Sequence, residues 1–167
     1  MTQEVTAEVL IDVPLTEAWE KLRDISLAHN YVPGIVETKI VSEQSEGLGA
    51  SRYVYRNKKS YIQETVVEWQ EGKGFLIHLH KGDKPAPPFR DAWFRYDLSE
   101  NGSTQTRFTA SLIYEMPWGR LGDWLGARMA NFAQATIADV AVAMKLYYET
   151  GNPTTPAALK AYKAGLK

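Results

Sequence analysis

Five side chains in the middle of the chain have the types and spacing to do chemistry: Arg52, Glu64, His78, His80 and Tyr96. In an apolar wall, an arginine can polarise a carbonyl, while a glutamate, imidazole or phenol can move a proton. Whether they meet depends on how the strands turn. A loop of Asn57, Lys58 and Lys59 sets Arg52 opposite Glu64. A loop of Glu71, Gly72 and Lys73 sets Glu64 opposite His80 and Val66 opposite His78, although one slipped residue would reverse every face. Each group also has a plainer role. Arg52 and Glu64 form a cross-strand ion pair worth about 1 kcal/mol or less if exposed. His78 and His80 alternate in a strand and lack a third ligand at metal-like spacing, so hydrogen bonding is expected of them and no metal.

The elements that must position these groups can be read from periodicity. Val5, Ala7, Val9, Ile11 and Val13 alternate with polar residues as a strand ended by Pro14. Trp19, Leu22 and Ile25 then give a short helix running loosely to Asn30, before Pro33 and Gly34. Short strands follow near 35–42, 50–56, 61–69, 75–80, 93–98 and 104–114, separated by turn residues, which predicts consecutive antiparallel hairpins. A loop of Glu100, Asn101 and Gly102 pairs Ser99 with Ser103 and Phe94 with Phe108, so that Phe94, Tyr96, Phe108, Ala110, Leu112 and Tyr114 share a face.

The longest element is a helix from Trp118 to about Thr150. Leu121, Leu125, Met129, Phe132, Ala133, Thr136, Ile137, Val140, Met144 and Tyr147 are expected on its buried side, with Arg120, Asn131, Gln134, Lys145 and Glu149 opposite. Gly122, Gly126, Ala130 and Ala133 allow close approach in its first half, and Gly151 with Pro153 ends it. After Pro156, Leu159, Tyr162 and Leu166 recur at helical spacing among Lys160, Lys163 and Lys167, as expected of a short docking helix.

The faces of the middle strands conflict. One carries Tyr53, Tyr55, Tyr61, Thr65, Val67, Trp69, Phe75, Ile77 and Leu79; the other carries Arg52, Val54, Ile62, Glu64, Val66, His78 and His80. Binary patterning would bury the first, whereas the second has the make-up of a small-molecule cavity, a few polar groups in an apolar wall.

Composition narrows the function. With 167 residues the chain is one domain's length, with no unbroken apolar run long enough to span a bilayer and no secretion signal, so a cytoplasmic protein without membrane insertion is expected. Without cysteine there is no disulfide or thiolate chemistry, and a net charge of -1 offers no field for nucleic acid. No serine-type triad or phosphate loop is present, and no cofactor is expected.

Stretches of the chain resemble a known family. "IDVPLTEAWEKLRD" is similar to its first strand, proline and Trp-bearing helix, "GLGASRYV" to its glycine-then-arginine strand, and "ETVVEWQ" to its glutamate strand. "YEMPWGRLGDWLG" and "LYYETG" resemble the start and end of its long helix. The resemblance is to the START-like superfamily, also called SRPBCC, which includes polyketide cyclases, lipid-transfer proteins, birch-pollen-type allergens and plant abscisic-acid receptors. It implies an α+β helix-grip fold: a seven-stranded curved antiparallel sheet around a long C-terminal helix, with two short helices after the first strand. Residues 1–151 would form the ligand-binding domain and 152–167 a tail.

The resemblance also implies that Glu64 points into the cavity with Val54, Val66, Phe94 and Ala110, and so that Arg52, His78 and His80 do too. The ligand-binding set it predicts is Val36, Arg52, Val54, Ile62, Glu64, Val66, His78, His80, Phe94, Tyr96, Phe108, Ala110, Leu125, Met129 and Ala133. The turn at Asn57–Lys59 is shorter than a hormone receptor's gating loop, so hormone recognition does not transfer; Pro85, Pro87 and Pro88 are placed at the entrance rim. Binding or carriage of a hydrophobic small molecule (lipid, isoprenoid or polyketide-like) is the leading function. The alternatives are a polyketide aromatase/cyclase-dehydratase using Arg52, Glu64, His80 or Tyr96, and a protein-interaction module. With the polar face inward, Tyr53, Tyr55, Tyr61, Val67, Trp69, Phe75, Ile77 and Leu79 would form an apolar outer surface, for which a homodimer is one cover.

Overall fold

In the computed structural model, which describes residues 1–166 apart from the side chains of Arg120 and Asp123, the chain folds as anticipated from its hairpin punctuation. The expectations for Arg120 and Lys167 lie outside the described residues. Strand β1 (Thr2–Ile11) leads into α1 (Leu15–Leu22) and a 3-10 helix (Ile25–Asn30). Then come β2 (Glu37–Ile40), β3 (Ser51–Asn57), β4 (Ser60–Gln70), β5 (Gly74–Lys81), β6 (Lys84–Pro85), β7 (Asp91–Asn101) and β8 (Gln105–Glu115). The long helix α2 (Gly119–Thr150) and the short α3 (Pro156–Ala164) complete the chain. The antiparallel sheet runs β1-β8-β7-β5-β4-β3-β2, with the two-residue β6 paired to β5 off this path. This is the helix-grip arrangement: a curved antiparallel sheet, two short helices after β1 and a long C-terminal helix against it. No helix among the described residues is long and apolar enough to cross a membrane.

The long helix packs on β1 and β8. Ile137, Val140, Ala141, Met144 and Tyr148 of α2 are buried, and Gly151 closes the helix at φ 72° with its N–H on the carbonyl of Tyr147. In the first half contact is made through glycine: a Cβ on Gly126 would lie 2.3 Å from Nε2 of Gln3. That close seam decides which large side chains are left out. Leu121 (66% exposed) and Phe132 (73% exposed), expected on the buried side, stand free, and Thr136 is exposed too. At 3.6 residues per turn Leu121 sits about 100° around the helix from Gly122, on a flank rather than on the seam.

The strand registers account for the faces. Arg52 pairs with Glu64 as the Asn57–Lys59 turn predicts, although the loop itself tightens to two residues, with Asn57 opposite Ser60. Between β7 and β8 the pairing differs by four residues from expectation, placing Phe94 opposite Leu112 and Leu98 opposite Phe108. An even offset keeps side chains on their faces, so Phe94, Tyr96, Phe108, Ala110, Leu112 and Tyr114 still share one side.

The β4–β5 hairpin also begins as predicted, with Gln70 opposite Gly74 and Trp69 opposite Phe75. A bulge between Val66 and Glu68 then adds one residue, so Glu64 meets Leu79 and Val66 meets Ile77. One residue reverses a strand. Phe75, Ile77 and Leu79, expected outside, are buried in the core, while His78 and His80 face outward opposite Thr65 and Gln63. Trp69, also expected outside, stacks on Phe75 at 5.4 Å and lies 5.1 Å from Trp19. The broad apolar outer surface therefore contracts to Tyr53, Tyr55 and Tyr61, whose rings pack together 4.5–6.3 Å apart, with the half-exposed Val67 at the bulge.

Candidate ligand site

The inner face of β3 carries the most deeply buried charge. Arg52 is 1% exposed; its Nε donates to Oε2 of Glu64 at 2.6 Å and its Nη1 to the carbonyl of Ile25 at 2.6 Å. The cross-strand register supplies Glu64, and the 3-10 helix brings the Ile25 carbonyl above the sheet. Two partners do not exhaust a guanidinium. Nη2 of Arg52 is buried and makes no hydrogen bond within the protein.

Tyrosines surround this charge. Tyr31 follows the 3-10 helix, Tyr96 comes from β7, and Tyr147 and Tyr148 come from the last turn of α2. The Tyr31 ring lies 6.4 Å from Tyr96, 6.0 Å from Tyr147 and 6.2 Å from Tyr148. Phe75 and Phe94 press on Tyr96 at 5.1 and 4.6 Å. The hydroxyl of Tyr147 receives a bond from Asn30, but those of Tyr31 and Tyr148 are buried without a partner.

Burial is also the main influence on ionisation. It pushes the phenols of Tyr31, Tyr96 and Tyr148 above the ordinary tyrosine value, an effect the Arg52 charge only partly opposes. All three are neutral donors at physiological pH. For Arg52, burial disfavours the charge, but the Glu64 carboxylate opposes that and the guanidinium stays protonated. The cluster is thus a fixed cation with neutral phenols: Nη2 of Arg52 and the hydroxyls of Tyr31 and Tyr148 are buried outside hydrogen-bond geometry, while the closeness of Tyr31 and Tyr96 to the guanidinium opposes part of the upward push of burial on their phenols.

Most residues predicted for the site come together. Arg52, Val54, Ile62, Glu64, Val66, Phe94, Tyr96, Phe108 and Ala110 lie on the inner face, and Leu125, Met129 and Ala133 pack against the core from α2. Three do not. His78 and His80 are on the outer face because of the bulge: Nε2 of His78 meets Oδ1 of Asp91 at 2.7 Å, and Nε2 of His80 meets Oγ1 of Thr65 at 2.8 Å. The carbonyl of Gly82, 2.9 Å from Nδ1 of His80, can only accept, so that nitrogen carries the hydrogen. Val36, 65% exposed, precedes β2, the edge strand of the sheet, and does not reach the inner face.

Sequence reasoning missed Tyr31 and Tyr148 altogether. For Tyr148 a signal was present, since Ile137, Ala141, Met144 and Tyr148 continue one helical seam that Tyr147 leaves. Tyr31 sits where helical periodicity fades and gave no such signal.

A sequence profile of the family described as "Polyketide cyclase / dehydrase and lipid transport" matches residues 2–149. The chain belongs to this family. Solved structures agree with the polyketide cyclase/dehydrase and lipid transport assignment at the level of fold. A START superfamily protein from Mycobacterium smegmatis superposes with a TM-score of 0.68 at 15% identity, over 89% of this chain and 99% of that one. The Zhui aromatase/cyclase from Streptomyces superposes with a TM-score of 0.63 at 12% identity, over 92% and 100%. Norcoclaurine synthase from Thalictrum flavum, solved with dopamine and hydroxybenzaldehyde, gives 0.64 at 13%, over 90% and 88%. No curated protein matches the chain by sequence.

Proposed function

We propose that the protein binds a hydrophobic small molecule, a lipid, isoprenoid or polyketide, between the concave sheet face and α2, and holds an acceptor oxygen of that molecule at Arg52, Tyr31 and Tyr148. The observation that carries this reading is the set of three buried polar atoms without partners, Nη2 of Arg52 and the hydroxyls of Tyr31 and Tyr148. A buried donor left unmade costs about 1–3 kcal/mol, so three in one cluster are a cost that a guest's carbonyl or carboxylate would remove. The apolar body of the guest would lie against Leu112, Leu125, Met129 and Ala133, which are only partly buried. Membership in a family of polyketide cyclases and lipid-transport proteins supports the same class of ligand. Residues 1–151 would then be the binding unit, with 152–167 appended to it.

Native mass spectrometry of gently purified protein should show a co-purifying molecule in the mass range of lipids or polyketides. An environment-sensitive dye should bind and be displaced by a fatty acid or a flat aromatic compound. Protein that carries no ligand, binds no dye and protects no interior amide on adding either compound would refute the reading.

A second reading, cyclisation or dehydration of a polyketide chain, is favoured by the neutral phenol of Tyr96 lying in the same cluster as Arg52 and Glu64. Arg52 would polarise a carbonyl, Tyr96 donate a proton to the developing oxyanion and Glu64 accept one from carbon. His80, on the outer face, takes no part. Turnover of a short polyketide thioester by the wild type, lost in Tyr96→Phe with ligand affinity retained, would identify the enzyme. A homodimer through the outer sheet face would have to rest on Tyr53, Tyr55 and Tyr61; sedimentation equilibrium of the wild type and of Tyr55→Glu tests it.

A further inference from the structure

Between α3 and the segment that follows Tyr31, the structure has a groove of about 670 Å³. One wall is the stretch after the 3-10 helix, with Val32, Ile35 and Val36; the other is α3, with Leu159, Lys160 and Lys163. Both walls are fixed in place. The N–H of Thr154 donates to the carbonyl of Asn30 at 2.8 Å, the Thr154 hydroxyl to the carbonyl of Ala143 at 2.6 Å, and Lys163 bridges to Asp139 on α2 at 2.6 Å.

The groove's chemistry is specific. Val32, Ile35, Val36 and Leu159 make its lining mostly apolar, with the polar His29, Thr154 and Thr155 among them, and its volume falls in the range of small-molecule sites, about 300–1,000 Å³. Asp139 is neutralised by Lys163, whereas Lys160 makes no hydrogen bond or ion pair among the described residues. The local charge is therefore one cation in excess, at the edge of an apolar trough. We propose that this groove is a second binding site, separate from the interior, for a monocarboxylate with an aliphatic body, its carboxylate seated at Lys160 and its chain lying along Val36 and Leu159. The site goes beyond the interior reading and does not depend on it.

The test is a backbone amide NMR titration of the full chain with decanoate, following residues 32–36 and 156–164 separately from residues on β3, β4 and β7. Groove amides should shift along a saturable curve, and Lys160→Glu should weaken that curve at least tenfold while leaving dye displacement from the interior unchanged. Val36→Asp, at an exposed position on the opposite wall, should do the same, so the result does not hang on one variant. Shifts confined to the interior strands, groove shifts unaltered by both substitutions, or no shift in the groove at all would each overturn the proposal. A saturable groove response in protein whose interior takes no ligand would instead leave the groove standing and refute the interior reading.

Discussion

Replacing Glu64 by glutamine keeps the shape of the side chain and an oxygen for Nε of Arg52, but removes the charge. The guanidinium it leaves is 1% exposed and bonded at 2.6 Å to the glutamate, which itself is 13% exposed. Breaking a buried pair from one side typically costs about 3–5 kcal/mol, because the remaining ion keeps its desolvation penalty. Since water reaches Glu64 slightly, the low end applies, about 3 kcal/mol. For a domain of this size that lowers Tm by about 6–12 °C. Arg52→Met strands less: the carboxylate can hydrate or take a proton, and the main new cost is the Ile25 carbonyl left without its donor, about 2 kcal/mol. Removing both charges as Arg52→Met with Glu64→Leu should cost no more than Arg52→Met alone, about 2 kcal/mol, since no ion is then stranded in the interior and only the Ile25 carbonyl lacks its donor. Urea unfolding, with midpoints compared at unchanged slope, measures all three. Single variants within about 0.5 kcal/mol of wild type, or a double variant whose loss is the sum of the singles, would refute the buried pair and with it the inward placement of β3 and β4.

Tyr31→Phe and Tyr148→Phe remove hydroxyls that have no partner in the protein, so stability should stay equal or rise slightly, while affinity for a carbonyl-bearing or carboxylate ligand falls about tenfold; calorimetry and dye displacement read the two effects separately. Alkaline pH should unfold the protein steeply. Tyr31, Tyr96 and Tyr148 keep their protons in the fold above the pH near 10 where the unfolded chain releases them, so the stabilisation is full below about pH 10 and is lost as pH rises beyond it. The slope approaches about 1.4 kcal/mol per pH unit for each of these tyrosines, and spectrophotometric titration should show them ionising together with unfolding; phenols that ionise near pH 10 in folded protein would contradict their burial. Gly74→Ala should be severely destabilising, by about 3 kcal/mol or more, because Gly74 has φ 152° and a Cβ there would lie 1.9 Å from the carbonyl oxygen of Tyr96; a variant with wild-type Tm would show that β5 and β7 do not approach so closely.

By itself the sequence determined the elements and their order. Alternation marked the long strands, the 3.6-residue period marked α2, and glycine and proline marked their ends, because each depends on residues close together in the chain. The Arg52–Glu64 pairing was legible because only a tight turn lies between them, although the two-residue loop reaches that register through an irregularity between Tyr55 and Asn57 that offsets the shorter turn. Tertiary structure decided what a local pattern does not encode. The bulge at Val67 lies in a Val66–Val67 pair, where two apolar neighbours give no sign of which is the extra residue, yet it turned Phe75, Ile77 and Leu79 into the core and His78 and His80 out of the site. The orphaned hydroxyls of Tyr31 and Tyr148 come from segments more than a hundred residues apart, and their relation to Arg52 exists only once the long helix has closed over the sheet. Likewise, Leu121 and Phe132 carry the apolar character of a buried face, but the glycine seam rotates them onto a flank. Strand parity is the physical reason: side chains alternate every residue, so a single insertion far from the turn reverses a face, and only the packed core shows which face was chosen.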